Sequence, residues 1–279
     1  MELKNEYENG FIYGWEIDEK ICDDLINWFE EVEIGEHLDE IDPKNSIAKH
    51  VGKTISQEEQ KESSLEKLKS LLQQGEITKD EFIKKAGKRS TDVSFGAFNS
   101  HPAARNYLDK GLAPVVKKYK EKFPYAFAEG DLGFVPPACM PDSEERMRTG
   151  YGSFPWMVGS TMNIQKYNPG EGFFSWHTER TLPITETVDR ALVFMTYLND
   201  VPNGGTKFFH QDTVTPARKG LTLVWPVDWT HVHAGQVTEE SEKYILTGWI
   251  HYIRGCTIAK TSIPYFYDLD SRVSKRADI

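Results

Sequence analysis

Cysteine is scarce in this chain. The three present, Cys22, Cys139 and Cys256, lie far apart and form no C-x-x-C pair, which argues against a thiolate zinc site or a disulfide framework and favours a reducing compartment. Long apolar runs are missing as well: no stretch approaches the roughly 18 residues that a membrane span needs. The opening MELKNEYENGFIYGWEIDEKICDDLINWFE is acidic and lacks the basic start and apolar segment of a secretion signal. The expectation is a soluble cytoplasmic protein with no membrane partner. Positive charge is in deficit too, since 33 Lys and Arg face 43 Asp and Glu, for a net charge of −10. That sign is wrong for binding a phosphate backbone, so no nucleic-acid partner is expected.

What the chain does have is length and aromatic side chains. Its 279 residues can bury a sizeable core without help from disulfides. Five of the seven tryptophans follow residue 150, namely Trp156, Trp176, Trp225, Trp229 and Trp249. The second half should therefore hold the core and any pocket.

Local patterns divide the chain. Asp18 reads as an N-cap, followed by Ile21, Leu25, Ile26 and Phe29 on one helical face. Residues 57–86, rich in Glu, Lys and Gln and split by Gly75 with a second cap at Thr78, read as an inserted helical hairpin with a solvated or docking role. A further helix is predicted from about Ala103 to Phe123. The Pro- and Gly-containing segment from Phe134 to Gly152 reads as a long loop able to close over a ligand. From Trp156 onward, MVGSTMNIQKY, RALVFMTYLN, GLTLVWPV and KYILTGWIHYI are rich in β-branched and aromatic residues, with NPGEG, VPNGGT and TPARKG as turns between them. The fold class expected is α+β: a jelly-roll core at 151–255, N-terminal helical support at 1–150 and a C-terminal extension at 256–279.

Within FFSWHTERT, His177 and Glu179 stand two residues apart, so on an extended chain both side chains leave the same face. Two ligands so placed can converge on one metal ion. Alone the pair carries little, because eight histidines among 43 acidic residues produce such spacings by coincidence, and a surface histidine beside a solvated glutamate explains it equally. WTHVHAGQV adds a third candidate, either His231 or His233, and spacing does not choose between them. Two histidines and a carboxylate without a thiolate form the facial triad of non-haem iron(II) oxygenases. Zinc accepts the same set, so a zinc hydrolase is the chemical competitor. Strand parity puts Lys243, Ile245, Thr247 and Trp249 on one face and Val193, Met195 and Tyr197 on another. A lysine turned into an apolar interior calls for a bound anion, unless its strand is an edge and it points to water.

Taken together, IQKYNPGEGFFSWHTE, RALVFMTYLND with PNGGTKF, and LVWPVDWTHVHAGQVTEESEKYILTGW resemble the iron(II)- and 2-oxoglutarate-dependent oxygenases of the prolyl 4-hydroxylase type, over roughly residues 155 to 254. The resemblance implies a double-stranded β-helix core. By position it implies that His177, Glu179 and His233 bind Fe(II), that Lys243 and Tyr197 hold the far carboxylate of 2-oxoglutarate, and that Tyr167 lies beside the keto-acid end. Arg190, seven residues before Tyr197, and Trp249, six after Lys243, also fall on positions of the family pattern. One position departs: the family usually has aspartate where this chain has Glu179. The implied chemistry is hydroxylation of an unactivated C–H coupled to decarboxylation of 2-oxoglutarate, with O2 as second cosubstrate and ascorbate as an optional addition. A prolyl residue in a peptide or protein is the implied substrate, and a free amino acid or other small molecule is the alternative. A non-catalytic metal-binding jelly roll is the reading from a different class. Trp176, Trp225 and Trp229 are candidates for the pocket wall, with plain core as the alternative, and His210 reads as structural or exposed.

Overall fold

The computed structural model describes residues 3, 5–33, 47–53, 65–97, 99–123, 126, 156–159, 161–180 and 185–252. The predicted loop from Phe134 to Gly152 and the extension at 256–279 lie outside the described residues, as does the first part of the inserted hairpin.

Antiparallel sheet dominates. One sheet has nine strands, whose main path runs β1 (Asn5–Asn9), β2 (Ile12–Glu16), β10 (Leu221–Pro226), β7 (Arg190–Tyr197), β12 (Lys243–Tyr252), β6 (Thr161–Tyr167), β4 (Arg89–Gly96) and β3 (Ile47–Lys53). Strand β5 (Trp156–Val158) pairs with the far end of β12. A second sheet runs β11 (His233–Gly235), β8 (Thr206–Phe208) and β9 (Thr213–Val214). Four strands of the large sheet, β1 to β4, come from the region that the sequence reads as helical support. Their short or polar runs give little period-2 signal; β2 and β4 become sheet by pairing with the distant β10 and β6, and β1 and β3 pair onto them.

Strand β7 is central and is buried on both faces. Its Leu192 and Phe194 pack into one apolar cluster with α1 (Glu19–Glu31) and the long helix described next, while Val193, Met195 and Tyr197 enter a second cluster with Tyr167, Phe208, Leu223, Trp225 and Ile245. The helices thus cover the outer face, and the inner face is left to form a cavity.

Helix α1 begins as read: Asp18 accepts from the Lys20 N–H at 2.9 Å. Its buried face is Ile21, Cys22, Leu25, Trp28 and Phe29, with Ile26 only half-buried. The predicted helix at 103–123 exists with one interruption. It runs Pro102–Asn106, widens into a π turn at Tyr107–Leu112 and resumes at Ala113–Lys122. Within the π turn the ladder slips to the Ala113 N–H reaching the Leu108 carbonyl, immediately before Pro114, which has no N–H to offer. Of the hairpin, α2 (Leu65–Gln73) and α3 (Lys79–Ala86) are described, and Gly75 between them sits at φ +74°. Thr78 and Glu81 cap α3 reciprocally, the Glu81 N–H on Thr78 Oγ1 and the Thr78 N–H on Glu81 Oε2. The pair docks through Leu68 and Phe82 against Phe174, and through a Lys69–Glu239 ion pair of 2.9 Å. No described helix is long and apolar enough to cross a membrane.

Gly205 precedes β8 in the small sheet, between the ends of β9 and β11. A Cβ on Gly205 would stand 1.8 Å from the Thr215 carbonyl oxygen and 3.2 Å from Gln236 Oε1. Neither backbone can retreat without breaking the Thr215 N–H to Thr206 O bond of 2.9 Å. Gly205→Ala is expected to lower stability by about 1–3 kcal/mol, read from urea denaturation.

Candidate metal centre and anion pocket

His177 and His233 face each other across an isolated antiparallel bridge, each donating its backbone N–H to the other's carbonyl at 3.0 Å. That pair of hydrogen bonds fixes their spacing independently of the side chains. The ring centroids lie 4.3 Å apart. Glu179, two residues on, returns to the same spot: its Oε1 is 3.3 Å from His233 Nε2 and 3.6 Å from His177 Nε2. The three ligating atoms lie within 4.8 Å of one another.

The hydrogen bonds on the far side of each ring decide what the near side offers. His177 Nδ1 is 3.0 Å from the Ser175 carbonyl and His233 Nδ1 is 2.9 Å from the His231 carbonyl. A carbonyl only accepts, so both Nδ1 atoms carry the proton and both Nε2 lone pairs turn inward. Two lone pairs and a carboxylate oxygen at this spacing repel unless protons or a cation sit between them. Burial works against ionised Glu179; protons held between it and the two Nε2 atoms bring the hydrogen bonding and charge from His177 and His233 that keep its carboxyl well below the usual range, and a cation in their place would do the same. This donor set, two neutral imidazoles and one anionic oxygen, fits a divalent transition metal.

Glu179 has a second support. Its Oε2 accepts from Trp249 Nε1 at 3.0 Å, and Arg190 Nη1 stands 3.5 Å from the same oxygen. Arg190 also donates to the Glu179 carbonyl at 2.8 Å and stacks on the Trp249 ring at 3.6 Å. Held by Oε2, the carboxylate leaves Oε1 for the centre. The longer side chain of Glu179 reaches the histidines because Trp249 anchors its outer oxygen.

A cavity of about 200 Å³ opens from the three ligands. Lys243, 5% exposed, lines it, and its Nζ donates to the carbonyls of Gln236 at 2.8 Å and Gly204 at 3.3 Å. Among the described residues no carboxylate pairs with it. Burial, and secondarily Lys207, pull its pKa down to about 8. Tyr197 also lines the cavity, its hydroxyl bonded to Thr206 and Thr215 at 2.8 and 2.7 Å. Tyr167 lines it too, with its ring 5.1 Å from Lys243 Nζ. Thus the six side chains singled out in the sequence, His177, Glu179, His233, Lys243, Tyr197 and Tyr167, border one space.

Other candidates fall elsewhere. His231 is buried with its ring away from the trio; it contributes its carbonyl to His233, and its own Nε2 has no partner. Of the three tryptophans considered for the wall, only Trp225 lines the cavity, in edge contact with His233 at 5.2 Å. Trp176 projects outward because the next residue, His177, takes the inward position, and Trp229 lies exposed at the start of the 3-10 turn Trp229–His231. His210 is exposed.

One wall was not foreseen. Lys88, Asn163 and Gln165 also line the cavity. The Tyr167 hydroxyl donates to Gln165 Oε1 at 2.8 Å, Gln165 Nε2 reaches Asp92 at 3.4 Å, and Asp92 is held by Lys88 and by Ser90 at 2.7 Å. The alternation in NIQKY points to Asn163 and Gln165 sharing the face of Tyr167. Nothing in the sequence announces Lys88 and Asp92: the pairing of β4 with β6 sets Asp92 opposite Gln165, and an isolated bridge to Phe173 places Lys88.

Residues 162–251 match the family model described as the 2OG-Fe(II) oxygenase superfamily. That span contains every one of the six side chains, and the chain carries a 2-oxoglutarate- and iron(II)-dependent oxygenase domain there. Comparison with curated proteins finds no match. Among solved structures the chain is similar to a viral collagen prolyl hydroxylase from Paramecium Bursaria Chlorella virus-1 in its 2OG complex, at 15% identity and TM-score 0.39, covering 74% of this chain and 96% of that one. It is also similar to a Pseudomonas putida prolyl-4-hydroxylase, at 12% identity and TM-score 0.38, covering 84% and 98%. A prolyl hydroxylase from Trichoplax adhaerens, in complex with a hypoxia inducible factor oxygen degradation domain peptide fragment, gives 12% identity and TM-score 0.39, covering 87% and 94%. Likenesses this weak add nothing to what the site's own chemistry supports.

The lowered pKa of Lys243 sets a sign. Between pH 8 and 10.5 the unfolded chain holds a proton on this lysine that the folded chain does not, so this group's contribution to stability rises with pH across that window. At pH 7 its burial costs about 3 kcal/mol. Lys243→Met is therefore expected to stabilise the ligand-free protein at pH 7 by up to about that much, with the gap closing towards pH 10.5. Denaturation curves of both proteins across this range provide the check.

Proposed function

We propose that this protein is an iron(II)- and 2-oxoglutarate-dependent hydroxylase acting on a peptidyl residue, with proline as the preferred target. The observation that carries the reading is a buried lysine, with no carboxylate partner among the described residues, lining the same cavity as a His–Glu–His donor set. A zinc hydrolase needs the donor set alone; it has no use for an ammonium held deep in the same cavity. A dicarboxylic keto acid uses both. A metal bound by His177, Glu179 and His233 would accept the keto acid and O2 in its remaining positions and supply oxidising power for C–H hydroxylation, with release of succinate and carbon dioxide.

The chain's residues do the positioning. Lys243 meets the far carboxylate where desolvation strengthens the attraction. Tyr197, with its proton shared between Thr206 and Thr215, walls the same cavity. Tyr167 gives its proton to Gln165, so it meets the keto acid with an oxygen lone pair and a ring edge. Trp225, Phe173 and Phe208 exclude water around the imidazoles, with Phe173 stacked on His177 at 3.7 Å. The proposed architecture is the double-stranded β-helix, the inner face of the large sheet and the β11–β8–β9 sheet forming its two walls. In that layout 151–255 is the catalytic core, and 1–150 adds support and outer strands. A cytoplasmic setting, with ascorbate as an optional addition, belongs to the same proposal.

Three outcomes test this. The full chain incubated with Fe(II), 2-oxoglutarate, O2 and candidate peptides should release succinate and add about 16 Da to a prolyl peptide, the mass of one inserted oxygen; addition only to a free amino acid would move the substrate class. His233→Ala should abolish Fe(II) binding in anaerobic equilibrium dialysis while His231→Ala retains it, and the reverse result would transfer the ligand. Trp249→Phe keeps the ring under Arg190 but removes the Nε1–H donor, so metal affinity should fall by about 10- to 100-fold.

A further inference from the structure

Among the described residues the large apolar side chains most open to solvent are Phe11, Trp176, Phe209, Val214 and Trp229. A soluble protein normally scatters such groups singly, and clustering marks a recognition surface. Here they gather. Trp176 meets Phe209 edge-on at 5.4 Å, Phe209 meets His210 at 5.2 Å, and His210 meets Trp229 at 6.0 Å. Phe209 is 57% exposed and Trp229 71%. The segments that carry these rings also carry the donor set: Trp176 precedes His177, and the Phe209 N–H bonds the Val232 carbonyl at 2.9 Å, next to His233. Trp176, Phe209 and Val214 line a groove of about 470 Å³ together with Lys207, Asp212 and Thr213.

Charge narrows what could lie there. Lys207 Nζ rests 5.3 Å from the Trp176 ring centre, and among the described residues no carboxylate comes within 4.0 Å of it. Asp212 borders the same groove but is solvated and does not pair with Lys207. A half-buried ammonium beside an aromatic ring is thus ready for one partner carboxylate. The chain's net charge of −10 repels a strongly acidic partner at long range, which leaves a mainly neutral segment with a single acidic side chain. Flat aromatic faces in a surface groove suit the rings of an extended, proline-containing chain.

We propose that the Trp176–Phe209–Val214 groove, with Lys207 at its side, docks an extended peptide that lays an apolar or prolyl ring on Trp176 and Phe209 and one acidic side chain on Lys207. The proposal rests on the hydroxylase reading for what happens next, since the docked peptide is the substrate whose neighbouring residue reaches the metal. Docking itself is separable from the chemistry.

Two short fluorescent Ala-Pro repeat peptides, one carrying a single Glu and the other a single Lys, are titrated by anisotropy against the full chain loaded with Mn(II) and 2-oxoglutarate. Wild type should bind the Glu peptide about tenfold more tightly, Lys207→Glu should reverse the preference, and Phe209→Ala should weaken both peptides by about tenfold. Succinate formed without peptide should be unchanged in Phe209→Ala, because that side chain does not line the cavity. Failure of the Glu peptide to bind wild type, an unchanged preference in Lys207→Glu, or unchanged affinity in Phe209→Ala overturns the proposal. So does a change in mass by light scattering in Phe209→Ala, which would assign the groove to a second copy of the chain. Peptide binding with the predicted reversal but no succinate from any protein would keep the docking surface and sink the hydroxylase.

Discussion

Two reciprocal backbone hydrogen bonds between His177 and His233 are the constraint on which the site depends. They belong to no regular strand pair, yet they bring residues 56 apart in sequence to a fixed separation. Each imidazole is then aimed by a carbonyl only two residues away, Ser175 for one and His231 for the other. Because the aiming groups are local backbone, the rings cannot rotate without giving up a bond. The donor geometry is therefore present before any metal arrives, and binding loses little to reorganisation.

Around that pair the fold divides labour by face. The outer face of the large sheet is closed by α1 and the long helix at 102–122, in a cluster of aromatic and aliphatic side chains. Its inner face carries Lys243, Gln165, Asn163 and Asp92, groups that a stable core would exclude. Asp92 and Gln165 satisfy one another and neighbouring donors, whereas Lys243 has only carbonyls. An ammonium in that condition is a cost to the free protein, which is the usual mark of a group kept for a ligand.

Much of this was legible in the sequence, for reasons that can be named. Alternation in KYILTGWIHYI and RALVFMTYLN puts Lys243 and Tyr197 inward because both strands are central and neither can slip register without burying the wrong face. The Asp18 cap is local chemistry and could be read locally. The strands β1 to β4 were not legible, since β2 and β4 are held by β10 and β6 far along the chain and β1 and β3 pair only onto them, and Asp92 came to stand opposite Gln165 through one of those pairings. The π turn likewise is not written in the apolar spacing; it ends where the Ala113 N–H reaches the Leu108 carbonyl, just before Pro114. Trp176 and Trp229 were weighed as wall or core, and the structure makes them neither: Trp176 precedes the inward His177 on an extended segment and so faces out, while Trp229 opens a 3-10 turn at the surface.

The buried ammonium of Lys243 has an implication for the lifetime of the molecule. Any carboxylate that neutralises it raises the free energy of unfolding in proportion to the logarithm of its concentration over its dissociation constant. Abundance would then follow metabolic supply: a cell poor in the matching keto acid leaves the chain more often unfolded and open to proteolysis, and a cell rich in it accumulates protein already charged for turnover.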